Sequence, residues 1–289
     1  MATPMTGRRL VTVLREAGLT VVEEPGWLTN NRNHKGAWGE VEGVLHHHTV
    51  TPGNTAAQTR DSIDLCYRGH STLPGPLCHG VITKAGVIHL VGNGRANHAG
   101  LGDEDVFRAM LASRALPRPD NNTRDGNRLL YGFESINLGD GKDPWPREQI
   151  RAMDLVSAAI CAEHRWPVTR SIFHLNWQAG KVDPRGIGTV TEHQERVRTR
   201  MTELSGEDDM ALSAEDKTWI ANQFKAVPRA VMAYTGPGRD QDIHQTIIDS
   251  ATYGARAVER LGDLVTMPTG DLQAIATAVA DEIARRGAA

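Results

Sequence analysis

The stretch that decides the fold is Gly43–Asn54, which reads GVLHHHTVTPGN. A short apolar run ends in three consecutive histidines, and the Thr-Val-Thr-Pro-Gly that follows is a turn signal. This pattern predicts a β-strand that ends at a loop, where a sheet opens onto a cleft. Because successive strand residues point to opposite faces, we expect His47 to face one way and His46 and His48 to face the other. One face should then border the cleft, and the other should pack inside the protein.

A second stretch far along the chain, His174–Gly186, reads HLNWQAGKVDPRG and holds a His, a Lys and an Asp at close spacing. Two histidines and one carboxylate from separate loops make a set of three metal ligands. Such a set leaves the fourth tetrahedral position of a zinc ion open to water, which is typical of catalytic rather than structural sites. Without this second stretch, a solvated or packed histidine cluster with no function would explain the triplet as well as a functional site does.

The pairing of a (V/L)-H-H-T strand end with a later H…K-x-D-P resembles the zinc-dependent N-acetylmuramoyl-L-alanine amidases of the type 2 family, over roughly residues 40–200. That family shares its fold with peptidoglycan recognition proteins and includes many phage endolysins. The resemblance implies one zinc ion, Zn2+, with His47, His174 and Asp183 as its ligands. A rival assignment, in which His46 and His48 are the ligands because they share a strand face, stays open.

Leu129–Leu138, LLYGFESINL, predicts a strand buried on one face, with Glu134 near its middle. A carboxylate in an apolar strand is costly unless it is paired or protonated, so an ion pair with an arginine is the structural alternative. The segment resembles the family's S-I-G-I-E-L strand, which implies that Glu134 is the general base. The resemblance also implies that Lys181 stabilises the oxyanion, and a solvated lysine is the alternative there.

Leu77–Ile82 and Val87–Val91 predict a β-hairpin around a glycine turn. His79 on this hairpin and His98 in the NHAG segment are interpreted as substrate-binding residues at the border of the groove, with packing as the alternative for both. Cys78 stands where many members of the family carry a tyrosine that assists catalysis. Because of this departure, the predicted catalysis depends on Glu134 rather than on a tyrosine.

The composition excludes several classes of protein. A chain of 289 residues with 39% hydrophobic residues can bury a sizeable core. Its net charge of −3 provides no basic field for nucleic acid or for an anionic membrane. The N-terminus, MATPMTGRRL, has no apolar region of a secretory signal, and no run of about 18 apolar residues predicts an integral membrane segment. The three scattered cysteines predict neither a disulfide framework nor a zinc ribbon.

Together these features predict an α/β fold with a mixed central β-sheet flanked by helices, as in type 2 amidases and peptidoglycan recognition proteins, followed by a small helical C-terminal module. Helical periodicity with plausible caps predicts helices at Thr6–Ala17, Thr55–Tyr67 and Pro146–His164. We expect a catalytic domain at 1–205, including an N-terminal extension at 1–40. The module at 206–289 would then serve in cell-wall binding, oligomerisation or spacing, or would pack on the catalytic domain.

The resemblance implies hydrolysis of the amide that joins N-acetylmuramic acid to the L-alanine of the peptidoglycan stem peptide, in a phage endolysin that degrades the bacterial cell wall during host lysis. Such an enzyme is made in the host cytoplasm without a signal peptide and is released through holin pores. The alternatives are a non-catalytic peptidoglycan-binding protein on the same fold, a cytosolic amidase that recycles muropeptides, and an unrelated zinc hydrolase. The residues alone predict only a single-zinc amide hydrolase.

Overall fold

The computed structural model describes residues 2–205, and the helical module predicted at 206–289 lies outside the described residues. Within residues 2–205 the β-strands are Val21–Glu23 (β1), Gly43–His48 (β2), Gly69–His70 (β3), Leu73–Pro74 (β4), Gly80–Ile82 (β5), Ile88–Leu90 (β6), Leu101–Gly102 (β7), Arg124–Asp125 (β8), Leu130–Ser135 (β9) and Ser171–Phe173 (β10). The α-helices of the same part are Gly7–Glu16 (α1), Ala56–Arg68 (α2), Glu104–Leu111 (α3), Gly126–Leu129 (α4), Arg147–His164 (α5), His174–Trp177 (α6) and Val190–Ser205 (α7).

The central sheet has six strands in the order β1-β6-β5-β9-β2-β10. Strands β10, β2, β9 and β5 run parallel, and β6 pairs antiparallel with β5 as the predicted hairpin. The predicted mixed α/β fold is confirmed. Because the parallel strands β9, β2 and β10 are neighbours, their carboxyl ends meet at one edge of the sheet, and this edge positions the candidate site.

The two faces of the sheet are covered by different helices. Val44 of β2 packs in a cluster with Met153 of α5, whereas its neighbour Leu45 packs in a cluster with Met110 of α3. Adjacent residues of β2 therefore point to opposite faces, as the strand period predicts. No helix among residues 2–205 combines the length and the apolar character needed to cross a bilayer.

Helices α1 and α2 begin at threonine N-caps, as the sequence predicts. The Thr6 side chain accepts a hydrogen bond from the backbone of Arg9 at the start of α1, and the Thr55 side chain accepts one from Gln58 at the start of α2. Strand β10 ends at Phe173, one residue before His174. There the backbone turns into α6, and the N–H of Leu175 donates to the carbonyl oxygen of Asp183 at 2.7 Å.

A buried polar network joins α5 and α7 to the edge strand β10. The His193 ring lies 2.8 Å from the Ser171 hydroxyl through Nε2 and 2.9 Å from Asp154 Oδ1 through Nδ1. Arg196 Nε donates to the other Asp154 oxygen at 2.8 Å. These groups follow the order of a Ser-His-Asp hydrolytic triad. All three triad-like residues are fully buried, so no substrate reaches them and the network is structural.

Replacing Asp154 with alanine is expected to lower the free energy of unfolding by about 3–5 kcal/mol, because His193 and Arg196 then lose a buried charged partner. Denaturant titration of the variant and the wild type measures this difference. The matched control is Glu195→Ala, which removes the partner of Arg198 at an exposed position of α7 and should cost about 1 kcal/mol or less. Equal losses in the two variants would contradict a structural role for the buried network.

Candidate metal centre

The candidate site lies at the carboxyl ends of β9, β2 and β10. His47 is the fifth residue of β2 and pairs in register with Glu134 of β9. His174 follows β10 directly, on the other side of β2. Asp183 lies on the loop after α6, and its backbone is bonded to Leu175. Three neighbouring strands therefore position the side chains that the sequence places far apart.

Three ligand-type atoms converge at this edge. His47 Nδ1 lies 2.9 Å from His174 Nδ1 and 3.2 Å from Asp183 Oδ2, and His174 Nδ1 lies 3.0 Å from the same oxygen. Atoms about 2.0–2.1 Å from a tetrahedral zinc ion lie about 3.3 Å from one another, so the spacing suits that ion. Among residues 2–205, no other His, Cys, Asp and Glu side chains converge in this way.

The protonation of these groups also suits a cation. His174 donates its Nε2 proton to Gln178 Oε1 at 3.1 Å, which leaves Nδ1 as the nitrogen that faces the other two ligand-type atoms. Burial lowers the pKa of His47 to about 4, and this ring is therefore neutral at pH 7, as a metal ligand must be. Burial alone would raise the pKa of Asp183, but the adjacent His174 and His47 rings outweigh it and hold that pKa well below its usual range. Nδ1 of both rings and Oδ2 of Asp183 thus face a common centre, where a bound metal ion would take the place of any proton shared among them.

Glu134 is the residue of β9 that pairs in register with His47. Its Oε2 atom is buried and has no hydrogen-bond partner among the described residues, and no arginine within residues 2–205 pairs with it. Burial raises its pKa well above the ordinary value, Cys66 and Asp183 raise it further, and Lys181 opposes them. The same lysine also lowers the pKa of His47. The charges of Asp183 and Lys181 therefore act on Glu134 with opposite sign.

His46 and His48 do not converge as a rival ligand pair. His46 points to the opposite face, where its Nε2 lies 2.7 Å from the Ser157 hydroxyl of α5. His48 Nδ1 accepts a hydrogen bond from the backbone N–H of Arg185 at 3.0 Å. Arg185 follows Asp183 by two residues, so His48 holds the loop that carries the carboxylate.

His79 and His98, interpreted from the sequence as substrate contacts, lie behind the site. His79 Nε2 donates to Gly94 O at 2.8 Å, and its Nδ1 accepts from Gly132 N at 2.9 Å. His98 Nε2 donates to Leu130 O at 3.0 Å, and its Nδ1 lies 3.1 Å from His47 Nε2. Both rings are buried and use both nitrogens within the protein, so neither ring offers a nitrogen to a substrate.

Two features of the site escaped sequence reasoning. Gln178, the partner of His174, follows it by four residues, and this helical spacing is a signal that could have suggested the contact. The contact between His47 and His98 joins residues 51 positions apart, and no local pattern predicts it. Cys78 is fully buried among apolar side chains, so its thiol does not reach a substrate.

Comparison with known proteins gives one family match and several similar folds. Residues 37–186 match the family described as N-acetylmuramoyl-L-alanine amidase. Among solved structures, the endolysin amidase LysCS from Clostridium intestinale URNW is 17% identical, with 62% of this chain and 95% of that chain covered and a TM-score of 0.41. Drosophila peptidoglycan recognition protein SA is 14% identical, with 61% and 91% covered and a TM-score of 0.39. The Ph2119 endolysin from Thermus scotoductus MAT2119 bacteriophage Ph2119 is 14% identical, with 62% and 99% covered and a TM-score of 0.37. No curated protein gives a significant match.

Proposed function

The chain belongs to the N-acetylmuramoyl-L-alanine amidase family, and on this premise we propose that it is a zinc-dependent enzyme that cuts the bond between N-acetylmuramic acid and L-alanine in peptidoglycan. The observation that carries the zinc dependence is the convergence of His47 Nδ1, His174 Nδ1 and Asp183 Oδ2 within 3.2 Å of one another. These three atoms would hold one zinc ion. When bound there, the ion would lower the pKa of a water molecule toward about 7 and polarise the scissile carbonyl.

Glu134 is the proposed general base. Its Oε2 atom has no partner among the described residues, and its strand position pairs with that of His47. The charge of a bound zinc ion would favour the ionised form against the burial that raises the pKa of Glu134, and the carboxylate would then accept a proton from the attacking water. The same carboxyl would then give that proton to the departing amine of L-alanine. This transfer lets the amine leave as a neutral group.

Lys181 is the proposed stabiliser of the oxyanion. It precedes Asp183 by two residues on one loop, and its charge acts on both His47 and Glu134. A cation aimed at the carbonyl oxygen stabilises the negative charge that develops in the tetrahedral transition state, an effect worth roughly 3–4 kcal/mol in comparable oxyanion sites.

We further propose that the enzyme acts as a phage lysin on the intact cell wall, with residues 1–205 as catalytic domain and residues 206–289 as a wall-binding or self-association module. An additional module suits an enzyme that works on an insoluble polymer better than one that recycles soluble muropeptides. A non-catalytic binding protein on the same fold would not need Glu134 beside a complete set of three ligands.

The test is product analysis with purified peptidoglycan. The enzyme should release new N-terminal L-alanine without new reducing sugar ends, because it cuts an amide and leaves the glycan intact. A chelator should stop the release, and added zinc should restore it. Cleavage of soluble muropeptides in preference to intact wall would favour the recycling enzyme, and wall binding without new N-terminal alanine would favour the binding protein.

A further inference from the structure

Two hydrogen bonds link the backbone of β9 to His47 through His98. His98 Nε2 lies 3.0 Å from the carbonyl oxygen of Leu130, and His98 Nδ1 lies 3.1 Å from His47 Nε2. A carbonyl oxygen only accepts, so His98 carries a proton on Nε2. With its proton held at Nε2 by this carbonyl, His98 has Nδ1 as the nitrogen that accepts a hydrogen bond from His47 Nε2.

This arrangement decides the tautomer of His47. Since His98 Nδ1 can only accept, His47 must donate from Nε2, and its own lone pair then lies on Nδ1. Nδ1 is the atom that faces His174 and Asp183. We propose that His98 is a positioning residue, which accepts the Nε2 proton of His47 and so holds His47 in the tautomer that presents Nδ1 to a metal ion. This inference rests on the proposed zinc site and adds to it the group that fixes the state of one ligand.

The position of His98 is built into the fold. Asn127 Oδ1 accepts hydrogen bonds from the backbone of His98, Ala99 and Gly100 at 2.9, 2.8 and 3.2 Å, which fixes the segment that carries the ring. At Gly132 of β9, an added Cβ atom would lie 2.3 Å from His98 Nδ1. The strand therefore has room for this ring only because residue 132 lacks a side chain. A ring fixed on both sides cannot easily turn its nitrogens away from His47.

The first measurement is zinc affinity of the full-length protein, by competition with a chromophoric chelator. His98→Leu removes the acceptor and should weaken zinc binding by about 10–100-fold, the effect typical of losing the hydrogen-bond partner of a metal-bound histidine. His98→Asn places a carbonyl oxygen near the position of Nδ1 and should recover most of that loss. His164→Leu, which removes a half-buried ring that contacts Tyr131 and Trp166, is the control and should bind zinc as the wild type does.

The second measurement keeps the inference testable even if His98→Leu does not fold. Long-range 1H–15N spectra of metal-free wild-type protein should show His47 and His98 both protonated at Nε2. Protonation of His47 at Nδ1 would overturn the inference, as would unchanged zinc affinity in a folded His98→Leu variant or an Asn variant as weak as the Leu variant. If the wild type itself binds no zinc, the proposed function fails, whereas the tautomer spectrum still decides the role of His98.

Discussion

His174→Ala is expected to abolish zinc binding and amide hydrolysis together. The substitution removes Nδ1, one of three ligand-type atoms within 3.2 Å of one another. Loss of a direct ligand should weaken zinc binding by more than about 100-fold, since losing only a ligand's hydrogen-bond partner weakens it by 10–100-fold. Zinc at one hundred times its dissociation constant should stabilise the wild type by about 2.7 kcal/mol, and the variant should lose this stabilisation. Metal analysis, thermal unfolding with and without zinc, and alanine release measure the three effects.

The control for this variant is His34→Ala, which removes an exposed imidazole away from the converging atoms. It should keep zinc content, zinc-dependent stabilisation and activity. A His174→Ala protein that still binds one zinc ion with wild-type affinity would contradict the proposed ligand set. A variant that retains zinc but loses activity would instead assign His174 to the substrate.

The sequence predicted the architecture because the decisive elements are short and strongly patterned. An apolar run that ends in Thr-Val-Thr-Pro-Gly has few conformations other than a strand and a turn, and β2 forms there. The hairpin and the long helix α5 carry equally local signals, in a glycine turn and in a helical stripe after Pro146. Each of these segments is consistent with the global fold, so local reasoning sufficed for the sheet.

Local sequence patterns did not predict which groups form hydrogen bonds with the candidate ligands. The family resemblance led to His47, His174 and Asp183, which the structure brings together, but the tautomers of the rings depend on Gln178 and His98. The His98 ring reaches His47 only because β9 lies beside β2 and carries a glycine at position 132. Strand order and the space beneath a strand are properties of the assembled sheet, and one chain segment does not encode them.

Glu134→Gln is expected to lower kcat by about 10²–10⁴-fold, the usual contribution of a general base, while zinc affinity stays near that of the wild type. Glutamine keeps the shape of the side chain but cannot accept a proton from water. Glu134 is not among the converging ligand atoms, so removing its charge should leave the metal site assembled. Alanine release under saturating substrate, together with zinc titration, measures both quantities. The control is Glu16→Gln at an exposed position of α1, which should leave kcat unchanged.

The stability of the same variant distinguishes a functional carboxylate from a structural one. Burial raises the pKa of Glu134 above its ordinary value of 4.5 in the metal-free protein, so folding favours the protonated form. Its contribution to stability is therefore fully present at acid pH and declines as the pH rises from the unfolded toward the folded pKa. Metal-free Glu134→Gln, which is neutral throughout, should lack this decline and should be at least as stable as the wild type at pH 7–8. A carboxylate that held the fold through an ion pair would give the opposite result, because its removal would destabilise the protein most at neutral pH. A Glu134→Gln variant that is as stable as the wild type, binds zinc and has a low kcat would show that the carboxylate contributes to the reaction and lowers the stability of the fold.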